Sequence, residues 1–94
     1  MKIYTVRVEL NDPASGDYDD LHKKMMTAGF SKTIESSEGI VYHLPDAEYE
    51  FKSETETIRT VLDKAYQVAT GIKSGSRVLV TESAGRMWKG LKKV

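Results

Sequence analysis

The stretch Gly39–Phe51, "GIVYHLPDAEYEF", decides how this chain folds. It reads as one strand with a proline in its middle. Pro45 has no N–H, and its ring disfavours the helical region for Leu44. A proline fits poorly inside a central strand. The stretch therefore divides. Ala47, Tyr49 and Phe51 alternate with Glu48, Glu50 and Lys52, the two-residue period of a strand covered on one face. A strand is expected over Ala47–Ser53. "GIVYHLP" becomes an extended edge segment that completes a hairpin with "SKTIES" (31–36), across the turn "SSEG" (36–39).

Upstream, Lys2–Leu10 alternates cleanly. Tyr4, Val6, Val8 and Leu10 face one way; Ile3, Thr5, Arg7 and Glu9 face the other. "NDPASGD" (11–17) supplies turn residues. Asp17 suits a helix N-cap, and Asp19 and Asp20 suit the positive end of the helix dipole. Tyr18, Leu21, Met25 and Ala28 recur at helical spacing, and Gly29 closes the helix with Phe30 folded back on it.

Downstream, Ser53 with Glu56 forms a candidate capping box for a second helix. Ile58, Val61, Leu62, Ala65, Val68 and Ala69 give it a broad apolar face, and Gly71 ends it. "RVLVT" (77–81) is a last strand. "ESAGRMWKGLKKV" (82–94) is a basic tail, expected to form a turn of helix anchored by Trp88 and Leu91.

The order is β-α-β-β-α-β, the split βαβ of a ferredoxin-like fold. It predicts an α+β sandwich with a four-stranded antiparallel sheet, the first and third strands central and two helices on one face. The other face, with Ile3, Thr5, Arg7 and Glu9, is then either wet or a dimer surface. A chain of 94 residues makes a single domain, 1–94.

Composition narrows the function. The chain has no cysteine, so it has no disulfide, thiolate metal site or cysteine nucleophile. Its opening residues read as a charged strand, not a signal peptide, and no apolar run is long enough for a membrane span. Cytoplasmic residence is the expectation. The 14 basic and 14 acidic residues cancel, leaving no global field to attract nucleic acid. Their placement is uneven: from Ile72 onward Lys73, Arg77, Arg86, Lys89, Lys92 and Lys93 stand against Glu82 alone. That end is either a solvated basic tail or a phosphate-facing patch.

No P-loop, GxGxxG, HExxH, GxSxG or zinc-ligand pattern is present. Glu9 lies near the exit of the first strand with Arg7 one step behind on the same face. Strand-end acids hold Mg²⁺ or orient water in phosphodiester cleavage, and surface Glu–Arg pairs are also common. Mg²⁺ is the one cofactor left open; otherwise none is expected. His22, at the margin of the first helix's apolar stripe, titrates near neutrality and suits acid–base chemistry on RNA, or is a boundary histidine. His43 beside Tyr42 suits base stacking, or is a solvent-facing edge residue. Trp88 between Arg86 and Lys89, with Lys92 beyond, is the aromatic–basic interleaving used for single-stranded nucleic acid; it equally suits an anchor for the tail.

"YTVRVEL", "DYDDLHKKMMTAGF", "GIVYHLP", the aromatic strand ending at Ser53 and "VLVT" before an aromatic–basic tail together resemble the GhoS-type antitoxin endoribonucleases of type V toxin–antitoxin systems. Those are similar in fold to the small CRISPR-associated nucleases. The resemblance implies a small RNA-binding protein, an endoribonuclease if an enzyme at all, acting on single-stranded mRNA such as a toxin transcript. The strand-end acid of that fold group falls at Glu9, a glutamate where aspartate is usual. The first-helix arginine of the antitoxins falls at His22. Three classes stay open: a ribonuclease using Glu9, Arg7 and His22; a non-catalytic RNA- or protein-binding module, such as a phage or plasmid accessory protein, using the open sheet face or a homodimer interface; and a regulatory domain binding a small molecule between subunits.

Overall fold

The computed structural model describes Met1–Val94 throughout. Its elements are β1 (Lys2–Glu9), α1 (Asp17–Thr27), β2 (Thr33–Glu35), β3 (Val41–His43), β4 (Glu48–Ser53), α2 (Ile58–Ile72) and β5 (Arg77–Glu82). The proline stretch divides as its chemistry requires, with β3 before Pro45 and β4 after it.

The architecture is α+β. β1 is the centre of an antiparallel three-stranded sheet, ordered β4-β1-β5. Tyr4 pairs with Phe51 and Glu82, Val6 with Tyr49 and Val80. Tyr4, Val6 and Val8 are fully buried with Leu21 and Met25 of α1 and Val61, Ala65 and Ala69 of α2. Each large apolar side chain buried this way contributes about 1.5–3 kcal/mol. Both helices therefore cover the face that the β1 alternation assigns to the core. No helix is long and apolar enough to cross a membrane.

The expected single four-stranded sheet does not form. β2 and β3 make their own two-stranded hairpin. The first half of the fourth strand begins as expected: Ser31 and Glu50 exchange two backbone hydrogen bonds of 2.8 Å, bridging the outer edge of β4. The next rung would need the N–H of Thr33 and both backbone groups of Glu48. Thr33 N–H instead donates to Ser31 Oγ at 3.1 Å. The Glu48 carbonyl accepts from the Lys32 ammonium at 3.0 Å, and Glu48 N–H donates to the Pro45 carbonyl at 2.9 Å. The ladder stops there and β2 turns away to β3.

Three local expectations need correction. The N-cap of α1 is Gly16, at φ 87°, not Asp17. Asp17 uses its carboxylate one step earlier, accepting the Ala14 N–H at 2.7 Å. The capping box of α2 is Thr57 with Thr60, not Ser53 with Glu56. Ser53 Oγ accepts the N–H groups of Thr55 and Glu56 at 3.1 and 2.9 Å, holding the turn that precedes the helix. Gly71 lies inside α2, which ends at Ile72. Gly29 behaves as read, at φ +98°, and Phe30 donates back to the Met25 carbonyl at 3.0 Å.

The tail is extended and contains no helical turn. It continues from β5, crosses the sheet on the side away from the helices, and ends against β3. The His43 N–H donates to the Lys92 carbonyl at 2.8 Å, and the Val94 N–H to the Val41 carbonyl at 3.0 Å. The hairpin thus gains a short backbone partner from the C-terminal segment.

Candidate functional site

Glu50 is where the tail is fastened. Its pairing with Thr5 puts it on the side of the sheet away from the helices, yet it is only 5% exposed. Arg86 covers it, with Nη1 2.6 Å from Oε2, and Lys52 lies 3.6 Å from Oε1. The Arg86 contact is close in distance, but Oε2 receives no well-aligned hydrogen bond. We read it as a buried ion pair, because charge attraction at that distance does not depend on N–H alignment.

Beyond Arg86 the tail roofs a cavity of about 270 Å³, whose walls include Thr5, Ile34, Leu44, Pro45, Tyr49, Trp88 and Leu91. Trp88 also meets Tyr42 of β3 edge-on, ring centroids 5.7 Å apart. Trp88 and Leu91 are the anchors the sequence suggests, held by the hairpin and the sheet.

Tyr49 joins this cavity to a second cluster. The residue is part of the cavity wall, and its hydroxyl, on the helix side, is hydrogen-bonded to Nδ1 of His22 on α1. Burial raises the Tyr49 pKa, with Tyr18 and Asp46 acting in the same direction, so the hydroxyl keeps its proton. Burial lowers the His22 pKa, and the Lys32 charge adds to the effect against Asp46 and Asp19. A neutral imidazole accepting at Nδ1 from the Tyr49 hydroxyl fits both directions.

Lys32 completes the cluster. Its ammonium donates to the carbonyls of Pro45, Asp46 and Glu48 at 2.7, 3.0 and 3.0 Å. It also sits 4.9 Å from the Tyr49 ring centroid, within cation–π range. Burial lowers its pKa, while Asp46 and Glu48 oppose the shift.

No known protein-family model and no curated protein matches the chain.

The candidate catalytic residues separate. Glu9 and Arg7 share the face away from the helices, but each has a partner: Glu9 pairs with Arg77, and Arg7 Nη1 is 3.1 Å from Glu48 Oε1. His22 belongs to the helical layer and engages Tyr49. No group of three or more His, Asp or Glu side chains gathers where they could hold a metal ion.

The candidate RNA-binding residues gather better. Arg86, Trp88, Lys92 and His43 all lie along the seam between tail and hairpin, with Lys89 exposed beside them. Arg86 is committed to Glu50. Lys89, Lys92 and Lys93 are exposed, and none of the seven ion pairs, Lys2–Glu82 through Arg86–Glu50, includes them.

Sequence reasoning missed Tyr49, Lys32 and Glu50. Tyr49 left a signal, because the β4 alternation turns it toward the helix that carries His22. Lys32 and Glu50 left none. Each looks like a solvent-facing charge until the loop at Pro45 and the tail are in place.

Proposed function

We propose that this protein is a non-catalytic binder of single-stranded RNA, with the tail–hairpin seam as its binding surface. The observation that carries this reading is the set of uncompensated lysines, Lys89, Lys92 and Lys93, interleaved with the aromatic and apolar residues that wall the 270 Å³ cavity. Exposed lysines outside any ion pair are available to phosphates, and a recess walled by Trp88 suits an unstacked base. Zero net charge fits a local patch that grips one segment of strand better than a whole-surface attraction.

A cleavage reading would need Glu9, Arg7 and His22 to reach one phosphate. Their placement in different layers favours binding over cleavage. On this proposal the GhoS-type resemblance bears on the fold plan and on RNA as the ligand. The sheet order β4-β1-β5, with Ser31 bridged to the outer side of β4, is also what a ferredoxin-like topology gives when its outer strand is reduced to a single rung.

The test is titration of a fluorescent single-stranded RNA 15-mer at several salt concentrations. Binding that weakens with salt is expected, the slope falling by roughly 0.7 for each phosphate contact removed when Lys89, Lys92 and Lys93 become alanine. Trp88→Ala should weaken binding at every salt concentration, and the RNA should be recovered intact. Equal binding by wild type and the triple-lysine variant, or no binding at low salt, overturns the proposal. Cleavage that disappears in His22→Ala restores the nuclease reading.

A further inference from the structure

The sheet has two edges, and only one is occupied. On the outer side of β4, Glu50 is bridged by Ser31, Glu48 N–H bonds the Pro45 carbonyl, and the hairpin lies alongside. On the other side, β5 pairs with β1 alone. Its six residues, "RVLVTE", contain no proline, no glycine and no inward-pointing charge in the middle. Natural proteins usually blunt such an edge.

The pairing with β1 fixes which backbone groups are free. Ser83 N–H donates to the Ile3 carbonyl, so that pair is a hydrogen-bonded one. Antiparallel pairs alternate, so Thr81, Leu79 and Arg77 also turn their backbone toward β1. Val78, Val80 and Glu82 turn theirs outward.

Beside this edge runs an apolar groove of about 370 Å³, walled by Ile58, Arg59 and Leu62 of α2 and Val78, Leu79 and Val80 of β5. Leu79 is 64% exposed and Ile58 45%. Arg59 enters no ion pair, and Glu82 has only Lys2, 4.0 Å away.

We infer that β5 is the interface for a second copy of this chain, paired antiparallel across a two-fold axis through Val80. In that register Val80 meets its own counterpart and Val78 meets Glu82 of the partner. Every outward N–H and C=O of the strand then finds an acceptor or donor. A two-fold perpendicular to the sheet keeps the helices of both copies on one side. Glu82 faces the helix side, as its pairing with Tyr4 requires. Opposite Val78 it arrives at the groove that Arg59 also walls, and supplies the anion that Arg59 lacks. A foreign strand would satisfy the backbone but has no reason to bring that charge. The pairing also limits itself, because the far edges of the resulting continuous sheet are the β4 sides, where Ser31 bridges Glu50 and the Pro45 carbonyl takes the Glu48 N–H. It gives a closed dimer and not a fibre.

Sedimentation equilibrium at about 100 µM should give twice the monomer mass. Glu82→Arg, which sets two cations at each groove, should weaken association by roughly tenfold or more, and the exchanged pair Arg59→Glu with Glu82→Arg should restore it. In this cysteine-free chain, Val80→Cys should oxidise to a covalent dimer, because self-facing hydrogen-bonded residues lie about 5.5 Å apart at Cα. Leu79→Cys, which faces Thr81 of the partner, should not. A wild-type monomer at that concentration overturns the inference. So does a dimer indifferent to the charge reversal, or one that crosslinks through Leu79→Cys and not Val80→Cys. The charge variants are at the surface and report on association even if Val80→Cys folds poorly.

Discussion

Arg86 lies 2.6 Å from the carboxylate of Glu50, and together they carry the tail across the sheet. Removing the cation leaves a buried anion with only the more distant Lys52. Arg86→Ala should therefore destabilise the protein by about 3 kcal/mol in denaturant unfolding. Glu50→Gln in the same chain should recover much of that loss, because the residue left behind is then neutral. An Arg86→Ala variant as stable as wild type would show that the pair does not hold the tail.

His22 links stability to pH. Its folded pKa lies below 6.5, chiefly through burial and then through Lys32. Below pH 6.5 the unfolded chain takes up a proton that the folded site resists, so the unfolded state binds more protons. The stabilising share is fully present above pH 6.5 and is lost as pH falls toward the folded value. Melting curves between pH 7.5 and 4.5 should fall more steeply for wild type than for His22→Gln. An NMR titration of His22 with a midpoint at or above 6.5 would contradict this.

Lys32→Met keeps much of the stem and removes the ammonium that satisfies three carbonyls. Two effects should follow together. The His22 midpoint should rise, because a neighbouring positive charge has gone. The loop at Pro45 should lose amide protection, and global stability should drop by about 1 kcal/mol as the part-buried Glu48 carbonyl and the two exposed ones lose their donor. Hydrogen exchange at Glu48 and NMR titration of His22 read the two effects separately.

Gly29 sits at φ +98°, and a Cβ there would lie 3.4 Å from the Phe51 ring. The contact is tolerable; the backbone is not. Gly29→Ala should cost about 1–2 kcal/mol through the left-handed penalty, with the sheet unchanged by circular dichroism.

Thr57 accepts the Thr60 N–H at 3.2 Å, and Thr60 Oγ1 accepts the Thr57 N–H at 3.0 Å. Thr57→Ala should lower stability by about 1 kcal/mol. Ser53→Ala should act on the preceding turn, with α2 retaining its N-terminal amide protection. The reverse pattern would assign the cap to Ser53.

What could be read in advance depended on how local its cause is. The alternation of Tyr4, Val6 and Val8 and the left-handed turn at Gly29 are set by neighbours a few residues away, and both are legible. Pro45 splits its stretch for the same reason. The cap of α2 was misplaced at Ser53, whose spacing to Glu56 imitates a capping box; β4 runs to Ser53, and the helix starts only after Thr57. The truncated fourth strand was not legible, since it turns on Lys32 reaching carbonyls up to sixteen residues away. Nor was the burial of Glu50, which depends on Arg86 arriving from the end of the chain. For the site, Tyr49 beside His22 was within reach of periodicity arguments, and the tail's path was not.

β1 stands at the centre of the sheet, yet both its neighbours come late in the chain. Lys2 meets Ser53, and Glu9 meets Arg77. The first strand made must wait for a long stretch of chain to close before either ladder exists. Such closures carry the entropic cost that slows folding of non-local topologies. The hairpin of β2 and β3 can form early, but it holds only one rung to the sheet. Folding should therefore be cooperative and comparatively slow for a chain of this length.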